Sequence, residues 1–311
     1  MKSSNIGGQA VLEGIMMKHK ESYAVAVRRP DGQIEVVKDR YTGIAGKAGR
    51  FARIPFVRGV FNFIDSLILG MKTLTLSAEF FEEEEEQRTL TREETEKKER
   101  QDKWMMRGVV LISVILAVGI FMVLPYFLSD LLKSFIPSYH VRTVIEGLLR
   151  IGIFILYILL ISRTEDIQRT FMYHGAEHKC INCIEHGLPL TVENVRSSSR
   201  QHKRCGTSFL FFVLAVSIIL LLLIQVDSPV MRVVVRIALL PVIAGISYEV
   251  LKLAGSSENI FINILSKPGL WIQKLTTKEP DDHMIEVAIC AVEAVFDWRN
   301  YERENFRTDA A

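Results

Sequence analysis

The stretch Gly108–Leu128, GVVLISVILAVGIFMVLPYFL, decides the class to which this protein belongs. It is nearly pure aliphatic, carries no charged residue and has Pro125 close to its end. A helix needs about 20 apolar residues to cross the hydrocarbon core of a bilayer. A core helix of a soluble protein would show a polar stripe along one side. The sequence therefore predicts a membrane-spanning helix here.

Three more segments have the length and apolar character of membrane spans. They are Thr143–Ser162, Ser208–Val226 and Val233–Leu253. Together the four segments predict an α-helical integral membrane protein with four transmembrane helices. The charges inside the spans are few, and Glu146 and Arg150, four residues apart, are expected to pair on one helix face.

The lysines and arginines predict the orientation of these spans. Seven of them lie between Arg88 and Arg107, ahead of the first span, and seven lie between Arg163 and Arg204, whereas the other two connections hold three. Basic residues are enriched in cytosolic loops. We therefore predict a multi-pass protein of the cell membrane with both termini in the cytosol. A net charge of +2 on 311 residues gives no reason to expect a nucleic-acid partner.

The remaining sequence divides into segments around the membrane domain. The N-terminal segment, residues 1–81, contains a predicted β-hairpin at residues 22–38, with alternating runs around Pro30-Asp31-Gly32. Its last part, Val57–Phe81, is apolar, but Asn62, Asp65 and Lys72 favour an amphipathic helix at the membrane interface over a span. A charged linker follows at residues 82–106, then the membrane domain at 107–253 and a helical, cytosolic tail at 254–311.

The connection between the second and third spans, residues 163–207, concentrates metal-ligating residue types. Tyr173–Gly206, YHGAEHKCINCIEHGLPLTVENVRSSSRQHKRCG, holds four of the seven histidines and three of the four cysteines. His174-Gly175-Ala176-Glu177-His178 fits the H-x-x-E-H pattern of inverted zincins. Two histidines four residues apart share a helix face, so both imidazoles can reach one zinc ion, and Glu177 can act as a base on water.

The pattern leaves the third ligand open. Glu249 is one candidate, because a carboxylate near the cytosolic end of the fourth span is costly unless it is paired. Glu193 and His202 are the alternatives. A different interpretation is a closed structural zinc site, since the spacing of Cys180, Cys183, His202 and Cys205 is that of a Cys3His site. Such a site would leave no open coordination position and would not be catalytic.

Six strings in the chain give it an end-to-end resemblance to the YqhQ family, an uncharacterised family of bacterial multi-pass membrane proteins commonly labelled metal-dependent. The strings are GGQAVLEGIMM (Gly7–Met17), YHGAEHK (Tyr173–Lys179), LTVENVR (Leu190–Arg196), SRQHKRCGTSF (Ser199–Phe209), GISYE (Gly245–Glu249) and PGLWIQKLTTKEP (Pro268–Pro280). The resemblance implies importance for His174, Glu177, His178, Glu193, Asn194, Arg200, His202, Arg204, Cys205 and Glu249. It places Cys180 and Cys183 at variable positions, which favours the histidine–glutamate site.

The combined interpretation is a membrane-embedded, metal-dependent enzyme, expected to be a hydrolase that uses a divalent ion, zinc first, at the cytosolic membrane face. The alternative is a non-enzymatic membrane scaffold or transport-type protein whose loop and tail bind a partner. The lipid bilayer is an expected partner in both cases. The sequence leaves a homo-oligomer or a membrane-protein partner open.

Overall fold

The structure is a computed structural model that describes residues 2–81, 92–224, 226, 228–256 and 259–306. For residues 92–100, 102, 103 and 229 it describes the backbone alone. The first ten residues of the predicted charged linker, 82–91, lie outside the described residues.

The N-terminal segment forms one antiparallel sheet of four strands in the order β1-β2-β3-β4. The strands are β1 (Ile6–Val11), β2 (Gly14–His19), β3 (Ser22–Arg28) and β4 (Ile34–Arg40). The predicted hairpin is confirmed as β3 and β4, which pair from Ser22 with Arg40 to Arg28 with Ile34. Gly32 at its tip has φ +85°, a conformation that glycine adopts without strain.

Most of the rest of the described chain is helical. Its α-helices are α1 (Gly43–Lys47), α2 (Val57–Glu79), α3 (Arg92–Val118), α4 (Leu124–Leu131), α5 (Tyr139–Ile161), α6 (Glu165–Glu185), α7 (Val192–Ser197), α8 (Gly206–Leu223), α9 (Pro229–Ser256), α10 (Ile260–Thr276), α11 (Asp282–Val295) and α12 (Trp298–Asn305). A π-helical segment, Gly119–Val123, joins α3 to α4.

Five of the described helical segments are long and apolar enough to cross a membrane, judged by length and composition. They are Val57–Glu79, Trp104–Ser134, Tyr139–Ile161, Gly206–Leu223 and Val230–Ser256. The expected count of four is therefore not matched, because α2, which the sequence analysis assigned to the membrane interface, also meets these criteria. Several apolar helices in one chain indicate a multi-pass membrane protein in contact with the lipid bilayer.

The chain forms two compact units. The first combines residues 1–80, 158–213 and 240–311, and the second combines residues 81–157 and 214–239. In the second unit, the Glu146 carboxylate accepts hydrogen bonds from Arg150 at 2.9 Å and from Arg236 at 2.6 Å. All three side chains are buried, so the expected pairing of Glu146 with Arg150 is confirmed and includes a second arginine.

The core of the first unit lies between the sheet and two helices. Helix α11 buries Met284, Ile285 and Val292, and the amphipathic pattern of the tail is typical of a helix that packs by one face. Helix α6 packs beside it against β1, where Ala176 and Ile181 join the same apolar cluster. The sheet, the His/Cys loop and the C-terminal tail therefore share one hydrophobic core.

Two neighbouring glycines of β1 differ sharply in the space around them. A Cβ on Gly8 would lie 2.7 Å from the carbonyl oxygen of Met16 and 2.9 Å from Cγ of Glu177, whereas a Cβ on Gly7 would meet nothing within 4 Å. We expect Gly8→Ala to lower the free energy of unfolding by about 1–3 kcal/mol, the usual cost of overpacking. Gly7→Ala is the matched control. Thermal unfolding in detergent measures both, and equal melting temperatures for the two variants would contradict the close approach of β1 to α6.

Candidate metal centre

Helix α6 presents the predicted motif on one face. Its first turn carries Glu165 and Asp166, whose charges suit the positive end of the helix dipole, and the helix ends just before Gly187, with φ +74°. Within it, His174 and His178 stack edge to face, with ring centroids 4.4 Å apart. The expectation that these residues share a helix face agrees with this geometry.

Cys205 completes a group of three potential metal ligands with the two histidines. One ligand atom from each of the three side chains lies within 4.8 Å of the others, and Sγ of Cys205 is 3.2 Å from Nε2 of His174. In a tetrahedral zinc site with bonds of about 2.0–2.3 Å, ligand atoms stand roughly 3.3–3.8 Å apart. The separation of Sγ of Cys205 from Nε2 of His174 is close to this spacing, and the 4.8 Å limit for the whole group is wider than it.

Backbone groups orient all three side chains. Nδ1 of His174 lies 3.0 Å from the carbonyl oxygen of Thr276, and Nδ1 of His178 lies 2.7 Å from that of Arg200. A carbonyl oxygen only accepts, so each Nδ1 carries the proton and each Nε2 keeps a lone pair in the neutral ring. The backbone N–H of Thr207 donates to Sγ of Cys205 at 3.3 Å. Such second contacts are typical of metal-ligating side chains.

The electrostatics of the group favour a thiolate. Burial alone would raise the pKa of Cys205, but His174 and His178 outweigh it and hold that pKa well below the usual thiol value. Burial likewise opposes protonation of His174, yet the neighbouring Cys205 outweighs it and raises the pKa of His174 to about 9. Both pKa shifts have the same cause, the 3.2 Å contact between Sγ of Cys205 and Nε2 of His174, and they favour the thiolate form of Cys205. The thiolate is the form of cysteine that binds metals.

Glu177 lies beside the group without belonging to it. Its Oε2 is 4.0 Å from Nε2 of His174, and its side chain is buried against Gly8 of β1. Burial raises the pKa of Glu177, while His178 and His174 partly offset that effect. A carboxylate with a raised pKa next to a possible reaction centre suits proton transfer.

The structure does not bring Glu249 to this group. Arg58 donates to both carboxylate oxygens of Glu249, and the backbone N–H of Phe56 adds a third hydrogen bond. The carboxylate near the end of the fourth predicted span is thus compensated by an arginine. We correct the candidacy of Glu249 as third ligand, because its oxygens are engaged by the start of α2 and the group contains Cys205 instead.

His202 is also engaged elsewhere. Its Nε2 lies 3.2 Å from a carboxylate oxygen of Glu185, which is fully buried and also pairs with Arg204 and accepts from Ser4. Although burial would raise it, hydrogen bonding from His202 and the charge of Arg204 lower the pKa of Glu185 to about 2. His202 lies next to His178, with ring centroids 6.0 Å apart, but is not a member of the ligand group.

The closed Cys3His interpretation does not match the arrangement. All four cysteines are free thiols, and of the three in the loop Cys205 alone is in the ligand group. The thiol of Cys183 faces the carbonyl oxygens of Leu188 and Pro189 at 3.6 and 3.5 Å. Burial raises the pKa of Cys180 well above the ordinary thiol value, so this residue packs as a small apolar side chain.

Two residues that the sequence analysis did not single out hold the loop over α6. The buried ammonium of Lys179 donates to the carbonyl oxygens of Arg196 and Ser198, and the amide of Asn182 donates to those of Ser199 and Gln201. Together with His178, they bind the backbone of residues 196–201 to the helix. A lysine in a position of α6 that faces the core was the sequence signal for this role.

The residues for which the resemblance implied a supporting role differ in how they contact the site. The Arg200 backbone orients His178, and Arg204 pairs with Glu185. Asn194 donates to the carbonyl oxygen of Pro189 at 2.9 Å and so shapes the loop. Glu193 is exposed on α7.

The segment after α10 approaches α6 closely. The backbone N–H of Lys278 donates to the carbonyl oxygen of Phe171 at 2.9 Å, and a Cβ on Gly175 would collide with the carbonyl oxygen of Lys278. Glycine at 175 therefore lets the chain that carries Thr276 reach His174.

The buried carboxylate of Glu185 makes stability depend on pH. Its pKa is lower in the folded protein than the ordinary 4.5, so its stabilising contribution is complete above about 4.5 and disappears as the pH falls through about 2. We expect Glu185→Gln to lower the free energy of unfolding at pH 7 by about 3 kcal/mol, because it leaves Arg204 without its partner. Thermal unfolding from pH 7 to 3 should show the gap between wild type and variant shrinking. The exposed Glu193→Gln is the control, and a gap that stays constant with pH would refute the assignment.

Comparisons with known proteins agree on one family. The family model described as "Protein of unknown function (DUF1385)" matches residues 54–298. The chain is 40% identical over 285 residues to the "Uncharacterized protein YqhQ" of Bacillus subtilis (strain 168). The matched region covers 91% of this chain and 89% of the relative. No solved structure gives a significant match. The chain therefore belongs to the DUF1385 family and is a relative of the Bacillus subtilis YqhQ protein.

Proposed function

We propose that this protein is a membrane-bound, metal-dependent enzyme of hydrolytic type. The observation that supports the proposal most is the pair of backbone carbonyls that fix the Nδ1 protons of His174 and His178. Both Nε2 lone pairs are thereby left for a cation, beside the thiolate of Cys205. Two imidazoles and a thiolate suit a zinc-like divalent ion, and three protein ligands leave a fourth position open, as in catalytic zinc sites.

A bound divalent ion would supply Lewis acidity, polarising a substrate carbonyl or phosphoryl oxygen. The protein's own part in such a reaction falls to Glu177. Its buried carboxylate, 4.0 Å from Nε2 of His174, can accept a proton from attacking water and pass it to the leaving group. Arg200 and Thr276 hold the imidazoles still through their carbonyl oxygens.

We further propose that the centre and both chain termini face the cytosol. The support is the distribution of lysines and arginines, which crowd the connections on the side of the His/Cys loop. Cys205 directly precedes α8, one of the apolar helices, so the ligand group is placed at the end of a candidate span. A substrate at or near the membrane is the class that fits this position.

Metal content tests the ligand set. The protein purified in detergent without chelator is expected to carry about one divalent ion per chain, since three ligands form one site. His174→Ala, His178→Ala and Cys205→Ser should each lose it, as measured by inductively coupled plasma mass spectrometry. Cys183→Ser is the control, because its thiol faces backbone carbonyls away from the group.

Melting temperatures of the same variants show whether each variant is still folded. A metal-free wild type, or loss of metal in Cys183→Ser alone, would contradict the proposal. The first outcome would favour the scaffold alternative, in which the histidines serve a hydrogen-bond network.

The role of Glu177 is separable from metal binding. We expect Glu177→Gln to keep the metal, because the carboxylate lies outside the ligand group. In a panel of ester, peptide and phosphoester substrates presented in lipid micelles, the variant should lose about 100-fold or more in rate, the usual contribution of general base catalysis. A fully active Glu177→Gln would remove this residue from the mechanism.

A further inference from the structure

We propose that α2 does not cross the membrane but lies along its surface, on the side of the metal centre, with its apolar face immersed in lipid. The partner of this face is the bilayer that the other apolar helices cross. The inference is independent of whether the centre binds a metal.

Chain connectivity sets the first condition. The sheet and α6 lie on the same side of the membrane, because they pack together: Arg169 pairs with Glu13, and Glu185 accepts from the backbone N–H of Ser4. Between the sheet and α6 the chain passes three candidate spans, namely α2, Trp104–Ser134 and α5. Three crossings would put α6 on the opposite side from the sheet. The number of crossings must be even, so one of the three helices does not cross.

The requirement for an even number of membrane crossings is met in the later part of the chain. Between α6 and α11 lie two candidate spans, α8 and α9, and an even number returns the chain to its starting side. This agrees with the contacts of α11, where Arg196 pairs with Asp282 and Arg28 pairs with Glu286. The conflict is therefore confined to the first three candidates.

Helix α2 is the one that fails to cross. It has the lowest mean hydropathy of the five candidates, while Trp104–Ser134 and α5 are among the most apolar. Asp65, in the middle of α2, is buried and accepts hydrogen bonds from the hydroxyl of Tyr41 and the backbone N–H groups of Ile44 and Ala45. Ionised side chains at the centre of a bilayer are costly, and here the compensating groups come from the N-terminal segment itself.

One face of α2 runs along the sheet over much of the helix. Lys72 pairs with Asp39 of β4 at 2.9 Å, and Ser77 accepts from the backbone N–H of Leu12 at 3.1 Å. A Cβ on Gly70 would meet the side chain of Gln9 in β1 at 2.6 Å. A helix that crossed the membrane could not keep its middle and its C-terminal end on one polar sheet.

The opposite face of α2 is apolar and uncovered. Ile64, Leu67, Ile68, Met71 and Leu74 recur at three- and four-residue spacing and are all exposed, with Leu67 55% exposed. This is the pattern of a helix that lies in the membrane interface.

The start of α2 is attached to the end of a candidate span. A Cβ on Gly59 would lie 2.7 Å from Cβ of Tyr248 in α9, and Arg58 pairs with Glu249. The apolar face thus begins at the level where α9 leaves the membrane. Arg50 and Arg53, just before α2, supply the positive charge that favours anionic lipid headgroups.

Helix α2 also lies close to the metal centre. Adjacent residues of β1 face the two elements: Gly8 contacts Glu177, and Gln9 contacts Gly70 of α2. A single strand therefore separates the carboxylate of Glu177 from a helix in the lipid surface.

Protease accessibility in sealed vesicles tests the topology. A site-specific protease site is inserted between Glu84 and Glu85, or after Ile136, in the full chain with a C-terminal tag. We expect the site at 84/85 to be cut in the vesicle orientation that exposes the tag, and the site after Ile136 to be cut there after detergent is added. Protection of the 84/85 site while the tag is accessible would overturn the proposal. Gel filtration of each insertion variant shows that it is folded.

Lipid contact is measured separately. A photoactivatable benzophenone amino acid at Leu67 should form adducts with phospholipid in native membranes, detected by mass spectrometry. The same group at Val36, exposed on β4, is the matched control and should form none. Absence of lipid adducts at 67, or equal yields at both positions, would overturn the immersion of α2.

Discussion

Two hydrogen bonds from imidazole N–H groups to backbone carbonyl oxygens fix the orientation of the two rings at the centre of this protein. Each bond holds a proton on Nδ1 of its ring and turns Nε2 toward Cys205. The carbonyls belong to Arg200 and Thr276, which lie far from the histidines in sequence. The loop after α6 and the end of α10 must both be in place before the two rings point to a common position. Much of the first unit can be understood as the scaffold for these two bonds.

The pairing of the histidines was predictable, and their partner was not. A four-residue spacing fixes a common helix face by geometry alone, so His174 and His178 follow from the sequence. His202 and Cys205 are three residues apart outside a helix, and their spacing does not reveal that His202 bonds Glu185 while Cys205 faces His174. Both residues follow the backbone of residues 196–201. That backbone is positioned by Lys179 and Asn182 of α6, through contacts that no local pattern reveals.

The partners of charged residues near the membrane are likewise not revealed by local sequence patterns. Glu249 is one of three candidates for the third ligand, because a carboxylate in an apolar setting is costly unless it has a partner. The carboxylate does have a partner, but the partner is Arg58, which lies 191 residues away in the sequence.

The strands β1 and β2 were missed for a different reason. Glycine has a low propensity for β-strands, but the pairing of β1 and β2 within the sheet outweighs that low propensity. The hairpin of β3 and β4, with its alternating pattern and turn residues, was predicted correctly.

The contact between Gly175 and the Lys278 carbonyl has a consequence for biosynthesis. During translation, α6 leaves the ribosome about a hundred residues before Thr276 and Lys278 do, with α8, α9 and α10 in between. His174 therefore has no acceptor for its Nδ1 proton until those later helices have been inserted. The orientation of the His174 ring is thus set late in the assembly of the protein, after α8, α9 and α10 have been made.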